Sequence, residues 1–186
     1  MILQNFDPEV EWCTPQPLKM AYRGLDGEPH EHTPDVFVEW RTDIKVRDAR
    51  PLLVDVKYRE AIHGAWREWR HLYRVMTNYA EDRGWRYKLL SEREIRTPRL
   101  KNANFLLPYL KRTSLPDVEQ RILEALKGVG ETDPKTLMAS LHPDKWEQAA
   151  MVPMLWKLMA ERRIGFDEDT QLTMLARIWT LHRRRK

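Results

Sequence analysis

Between Thr14 and Lys57, β-branched and aromatic residues alternate with polar ones, and Gly or Pro punctuates the alternation. A period of two with such punctuation predicts strands and turns. Pro17–Arg23 reads as one strand, Gly24-Leu25-Asp26-Gly27 as a turn, and His32–Trp40 as a second strand. On that second strand Val36, Val38 and Trp40 share one face while Phe37 and Glu39 take the other. A hairpin fits the two. Pro51–Tyr58 carries Leu52-Leu53-Val54-Asp55-Val56-Lys57, an almost continuous apolar run of the kind found in strands buried on both faces. It is expected to be the central strand, with Val56 packed into the core.

From Ala61 to about Asp82 the period changes. Ile62, Ala65, Trp66, Trp69, Leu72, Tyr73, Met76, Tyr79 and Ala80 recur at three- and four-residue steps, which predicts one long amphipathic helix ended at Gly84. Its other face displays Arg67, Arg70, His71 and Arg74. Tyr87–Leu90 follows as a short strand. Ser91 with Glu94 three residues on has the capping-box pattern of a short helix, and Thr97-Pro98 opens another. Three strands, a helix, a strand and a helix make a mixed α/β domain.

Thr113-Ser114-Leu115-Pro116 breaks the pattern and divides the chain into an expected 1–112 core and a 113–186 domain. Beyond the break Val118, Ile122, Leu123 and Leu126 mark one helix, closed by Gly128 and Gly130. Asp133–Leu141 makes a second, with Asp133 as cap and Pro134 at its first position. A third runs from about Pro143 to Arg163, interrupted by Pro153. Ile164–Phe166, a polar turn and Leu172–Leu181 suit a hairpin, so this half is expected to be a winged helix.

Composition narrows the class. The 186 residues (22.3 kDa) are 42% apolar and 32% charged, enough to form a core and to exclude a disordered tail or a fibre. No apolar run is long enough to span a bilayer, and Met1-Ile2-Leu3-Gln4 lacks a basic leader, so a cytosolic, unanchored protein is expected. The single Cys13 has no partner for a disulfide or a zinc site and reads as a half-buried small hydrophobe. The net charge of +4 is unevenly spread. Met1–Lys57 has seven Lys/Arg against eleven Asp/Glu, Tyr58–Arg112 has thirteen against six, and the chain ends Arg183-Arg184-Arg185-Lys186. Acidic strands beside a basic flank suit an enzyme that holds a metal and approaches a polyanion, and equally suit solvated helix faces.

The candidate chemistry sits on the strands. Asp55 and Lys57, two apart, project to one side of the central strand, and Pro34-Asp35 lies in the strand expected beside it. Two carboxylates and the Val56 carbonyl offer hard oxygen ligands for Mg2+ or Mn2+, with Lys57 placed to orient a water and neutralise developing charge in phosphodiester hydrolysis. The plain alternative is a turn aspartate and an ordinary Asp55/Lys57 surface pair. Against it, a charged pair interrupting an apolar strand is costly unless compensated. The Arg67, Arg70 and Arg74 row reads as a phosphate track on an exposed face. His30 and His32 read as polar groups on a hairpin edge, His63 as a group near the start of the helix, and Trp66, Trp69 and Tyr73 as core. In the second half Lys145, Lys157, Arg162, Arg163 and the tail offer DNA contacts, whereas Trp146, Met151, Met154, Trp156 and Met159 offer a protein-docking surface. Both remain open.

Several strings in order resemble the TnsA endonucleases of heteromeric transposons: Phe6-Asp7-Pro8-Glu9-Val10, Gln16-Pro17, His32-Thr33-Pro34-Asp35-Val36-Phe37-Val38 and Leu53-Val54-Asp55-Val56-Lys57. Ser91–Arg96 and Leu100-Lys101-Asn102-Ala103 are similar to the region after that family's core, so the likeness covers roughly Phe6 to Leu110. The resemblance implies a restriction-endonuclease-like core, Mg2+-dependent cleavage of the non-transferred strand in double-stranded DNA at transposon ends, and work beside a DDE-type transposase and an AAA+ regulator. It carries Asp35, Asp55 and Lys57 over as site residues. The family's first catalytic carboxylate, a glutamate on an amino-terminal helix, falls upstream of Phe6-Asp7-Pro8, where this chain offers no acid; Glu9 and Glu11 are the nearest acids besides Asp7. A start upstream of Met1, a substitute acid, or a non-catalytic DNA-binding or assembly subunit each accommodates that departure.

Overall fold

In the computed structural model, which describes residues 2–181, the chain divides into two compact units, Met1–Arg96 and Thr97–Lys186. In the first, α1 (Ile2–Phe6) leads to β1 (Val10–Pro15), β2 (Met20–Arg23), β3 (Pro29–His32), β4 (Val36–Trp40) and β5 (Leu52–Val56). Then come α2 (Arg59–Gly64), α3 (Trp66–Glu81), β6 (Arg86–Leu90) and α4 (Glu92–Ile95). Four strands form a mixed sheet in the order β1-β4-β5-β6, antiparallel except for the β5–β6 pair. A parallel pair requires a crossover, and α2 with α3 supplies it.

β5 is an interior strand, as its apolar run implies. Leu53, on one side, packs with Met20, Leu72, Met76, Ala80 and Tyr87. Leu52 and Val54, on the other, pack with Val36 and Val38. Leu53 and Met76 are fully buried, each worth about 1.5–3 kcal/mol relative to exposure.

The hairpin differs from expectation. The single strand read at His32–Trp40 is two strands, because Pro34 cannot donate to a ladder. β3 pairs with β2 in a separate two-stranded sheet, Met20 opposite His32, while β4 joins β1 and β5 in the main sheet. Val56 is also not in the core. The last β4–β5 pair is Val36 opposite Val54, so Val56 lies beyond the edge of its neighbour and is 38% exposed.

The long helix is broken as well. At Ala65 the backbone turns to φ −124°, ψ 44°, just after Gly64, whose helix propensity is about 1 kcal/mol below that of alanine. Leu72, Met76 and Ala80 of α3 are buried and Trp69 packs beside them, but Trp66 and Tyr73 are exposed rather than core. The capping box at Ser91 forms as read, with the Glu94 carboxylate accepting from the Ser91 N–H at 2.8 Å.

The second unit contains α5 (Pro98–Leu106), a 3-10 turn (Leu107–Lys111), α6 (Pro116–Val129), β7 (Glu131–Thr132), α7 (Pro134–Leu141), α8 (Lys145–Ala160), β8 (Ile164–Phe166) and β9 (Ile178–Thr180). The three strands form an antiparallel sheet in the order β7-β9-β8. Asp133 caps α7 and Asp144 caps α8 through their side chains. α5 and the 3-10 turn pack on α8. The boundary expected at 112/113 therefore differs from the division seen at Arg96/Thr97: Thr113–Pro116 is a connection inside the second unit.

Pro153 does not interrupt α8, which runs unbroken through it. From Met154 to Ala160 every residue of α8 is buried, and that packing offsets the hydrogen bond a proline removes. Met151, Met154, Trp156 and Met159 are thus core; only Trp146, 84% exposed, remains of the apolar surface expected there. Among the described residues no helix is long and apolar enough to cross a membrane.

Candidate active site

Just before β4 begins, the side chain of Asp35 extends the strand's hydrogen bonding toward β5. Its Oδ2 accepts the Val56 N–H at 2.7 Å, closing the gap left beside the exposed end of β5. One residue earlier on β5 stands Asp55, at 0% exposure. Two donors meet its Oδ2: His32 Nε2 at 2.7 Å, from β3, and the Tyr87 hydroxyl at 2.7 Å, from β6. Its Oδ1 is buried and has no hydrogen-bond partner among the described residues, as is also true of Gln4 Oε1 on α1. Burial, together with the adjacent Asp55 charge, pushes the Tyr87 hydroxyl far above the ordinary tyrosine value, so it remains a donor.

Lys57 follows β5 on the same side as Leu53 and Asp55. Its Nζ lies 5.5 Å from the centre of the Trp69 ring on α3, and its N–H bonds to Leu90 O at 2.9 Å. The β5 alternation thus brings Asp55 and Lys57 to the α3 side, and Asp35 meets the strand at Val56. Asp35 and Asp55, twenty residues apart in sequence, both act on the last two residues of β5.

The donors are hard oxygens, of the class that binds Mg2+ or Mn2+. A buried carboxylate oxygen without a donor is costly, and a cation is one group that relieves it. Among the described residues no group of three or more His, Cys, Asp and Glu side chains converges as a ready metal cluster, so neither Glu9 nor Glu11 completes a set with Asp35 and Asp55.

Sequence reasoning missed the roles of His32 and Tyr87. His30 and His32 share a face of β3 but reach different partners: His30 bonds Asp26 at 2.9 Å, while His32 reaches Asp55. The signal available was a histidine three residues before Asp35 and a tyrosine opposite Leu53 across the parallel pair; neither spacing specifies a contact. His63 is exposed and bonds Arg59 at 3.2 Å, with no contact to Asp35 or Asp55 among the described residues.

Arg67, Arg70 and Arg74 are exposed on α3, turned away from the Leu72–Met76–Ala80 side. Arg67 borders an open hollow of about 460 Å³ with Tyr22, Asp26, His30 and His71. In the second unit the candidate DNA-contacting bases are already engaged: Lys157 with Glu161 at 2.6 Å, Arg163 with Glu119 at 2.6 Å, and Arg162 with Glu168. Lys145 is exposed, and Arg183–Lys186 lie outside the described residues.

Residues 7–92 match the family model described as TnsA-like endonuclease N terminal, and residues 94–167 match that described as TnsA endonuclease C terminal. The chain belongs to the TnsA-like endonuclease family. Among curated proteins none matches it. The mixed sheet with its helices fits a TnsA-like fold, and the sheet-end carboxylates Asp35 and Asp55 fall within the TnsA-like amino-terminal match.

Proposed function

We propose that this chain is the endonuclease subunit of a heteromeric transposition system, hydrolysing a phosphodiester of the non-transferred strand at transposon ends. The observation that carries the reading is the pairing of Asp35 with Val56 N–H beside the buried Oδ1 of Asp55, which has no hydrogen-bond partner among the described residues, inside a TnsA-like match. Asp35 and Asp55 with the Val56 carbonyl would hold Mg2+ or Mn2+. The bound cation would supply Lewis-acid activation of water and charge stabilisation at phosphoryl oxygens. Lys57, held over Trp69, orients the nucleophilic water by its ammonium and offsets charge developing on the phosphate. Arg67, Arg70 and Arg74 are assigned to phosphates of the flanking duplex.

In the second unit, the order α6–β7–α7–α8–β8–β9 and the β7-β9-β8 sheet support a winged helix. Because Lys157, Arg162 and Arg163 have internal partners, we assign this unit to docking the AAA+ regulator, with the transposase as the further partner, rather than to gripping DNA. A second reading has one observation in its favour: with no third acid converging on Asp35 and Asp55 among the described residues, the chain also suits a non-catalytic assembly subunit that keeps the fold.

The test is nicking of double-stranded transposon-end DNA in Mg2+, with transposase and regulator present. Asp35→Ala and Asp55→Ala should each lower cleavage by about 10³-fold or more, and Lys57→Ala should retain cation binding but cleave poorly. A wild-type chain that joins the complex yet never nicks establishes the assembly reading instead.

A further inference from the structure

We propose that His32 and Tyr87 are a pair of positioning residues that hold Asp55 by one oxygen and thereby present the other to a divalent cation. The inference rests on the reading of Asp55 as a metal ligand and adds two further side chains that aim it.

The geometry is asymmetric. An ionised carboxylate has about four acceptor sites over two oxygens. Here both donors converge on Oδ2 at 2.7 Å, and the fully buried Oδ1 has none among the described residues. Had the two donors divided between the oxygens, each would carry one and neither would be left wholly open. Two donors on one oxygen also fix rotation about the Cβ–Cγ bond, since a quarter-turn would carry that oxygen away from both, while a half-turn merely exchanges two equivalent oxygens and restores the same arrangement. The donors come from two different sheets. Tyr87 is 32 residues away on β6, the strand parallel to β5. His32 is 23 residues away and belongs to the separate β2–β3 sheet.

The hairpin is itself anchored. Met20 is buried with Leu53, Met76 and Tyr87, and Tyr22 packs beside them. His71 of α3 bonds Arg23 O at 2.7 Å. The anchored β2–β3 hairpin thus delivers His32 to Asp55. Groups that orient a ligand in this way typically change metal affinity 10- to 100-fold when removed, without touching the metal.

The test is titration of the full chain with Mn2+ by calorimetry and electron paramagnetic resonance, with melting temperatures recorded without metal. His32→Ala and Tyr87→Phe should each weaken Mn2+ binding about tenfold, and His32→Gln, which keeps an N–H donor, should recover most of that loss. Asp55→Ala should abolish the site. If wild type binds Mn2+, Asp55→Ala does not, and both His32→Ala and Tyr87→Phe bind as wild type, the positioning roles fall while Asp55 stands as a ligand. If His32→Gln binds as weakly as His32→Ala and Tyr87→Phe is unaffected, His32 is no donor to Asp55 and the pair is overturned. Should His32→Ala fail to fold, Tyr87→Phe and His32→Gln decide alone. Absence of saturable Mn2+ binding by wild type, to about 10 mM, overturns the metal reading itself and this inference with it.

Discussion

Each unit of the molecule buries an acid, and the two are treated differently. Glu119 of α6, 4% exposed, is closed on every side the structure records: Ser114 Oγ donates to one oxygen, Arg163 to the other at 2.6 Å, and Lys157 adds favourable charge nearby. These partners, the Ser114 hydrogen bond foremost, hold its carboxyl below the ordinary glutamate value. Asp55 of β5 is more deeply buried, and both its donors meet the same oxygen, leaving Oδ1 without one among the described residues. A satisfied buried charge is a structural fixture, whereas an incompletely satisfied one keeps an unfilled capacity for a ligand. The contrast extends to the bases: Arg67, Arg70 and Arg74 extend into solvent, while Arg162, Arg163 and Lys157 are tied into ion pairs.

The two acids should part most sharply when each is exchanged for its neutral isostere. Asp55→Asn should lower cation-dependent cleavage about 10³-fold while the unfolding free energy stays level or rises by about 1 kcal/mol, since the amide oxygen still accepts from His32 and Tyr87. Glu119→Gln should do the reverse, costing about 2 kcal/mol of stability and leaving Mn2+ binding intact. Glu119 also predicts a pH dependence. Its folded pKa is depressed, so its contribution is full above the unfolded glutamate value and is lost as pH falls through that value toward the folded one. Chemical denaturation from pH 7 down to about pH 3 should show a steeper acid loss in wild type than in Glu119→Gln. Equal stability losses for the two isosteres would erase the distinction between the acids.

A comparable effect, confined to the second unit, is expected at Asn102. Its buried amide donates to Glu168 O at 3.0 Å and Thr170 O at 2.8 Å and accepts from Leu172 N–H at 2.8 Å, fixing the segment between β8 and β9. Asn102→Ala should cost about 2 kcal/mol and raise hydrogen exchange at residues 168–172, with Mn2+ binding unchanged. Coupled loss of cation binding would mean that the two units do not divide their roles as described.

The smallest expected effect is on the exposed bases. Changing Arg67, Arg70 and Arg74 together to Gln should weaken DNA binding uniformly across sequences and lower the slope of log affinity against log salt by about 2 to 3. The same change at Arg163 should leave that slope alone and lower the melting temperature. A salt slope unmoved by the triple change would put the stripe outside the DNA interface.

Local features were legible in the sequence because local chemistry decides them. The apolar run of β5, the Ser91–Glu94 box, the Asp133 cap and the three-and-four spacing of α3 each need only neighbours in the chain. The candidacy of Asp55 and Lys57 was legible for the same reason, as charges interrupting an apolar run, and that of Asp35 from its place beside the strand expected to neighbour it and from the family resemblance. What the tertiary structure alone decided is which groups face one another. Pro34 split one expected strand between two sheets, and only that split lets β3 carry His32 to Asp55 while β4 carries Asp35 to Val56. Of the bases that looked available on α8 and after it, Lys157 is buried and Arg163, though exposed, is paired with Glu119, 44 residues away, a partner that its own spacing does not encode. Contacts 21, 23 and 32 residues apart arise from the sheet order and the crossover, and periodicity along a chain reports which face a side chain occupies, not what it meets there.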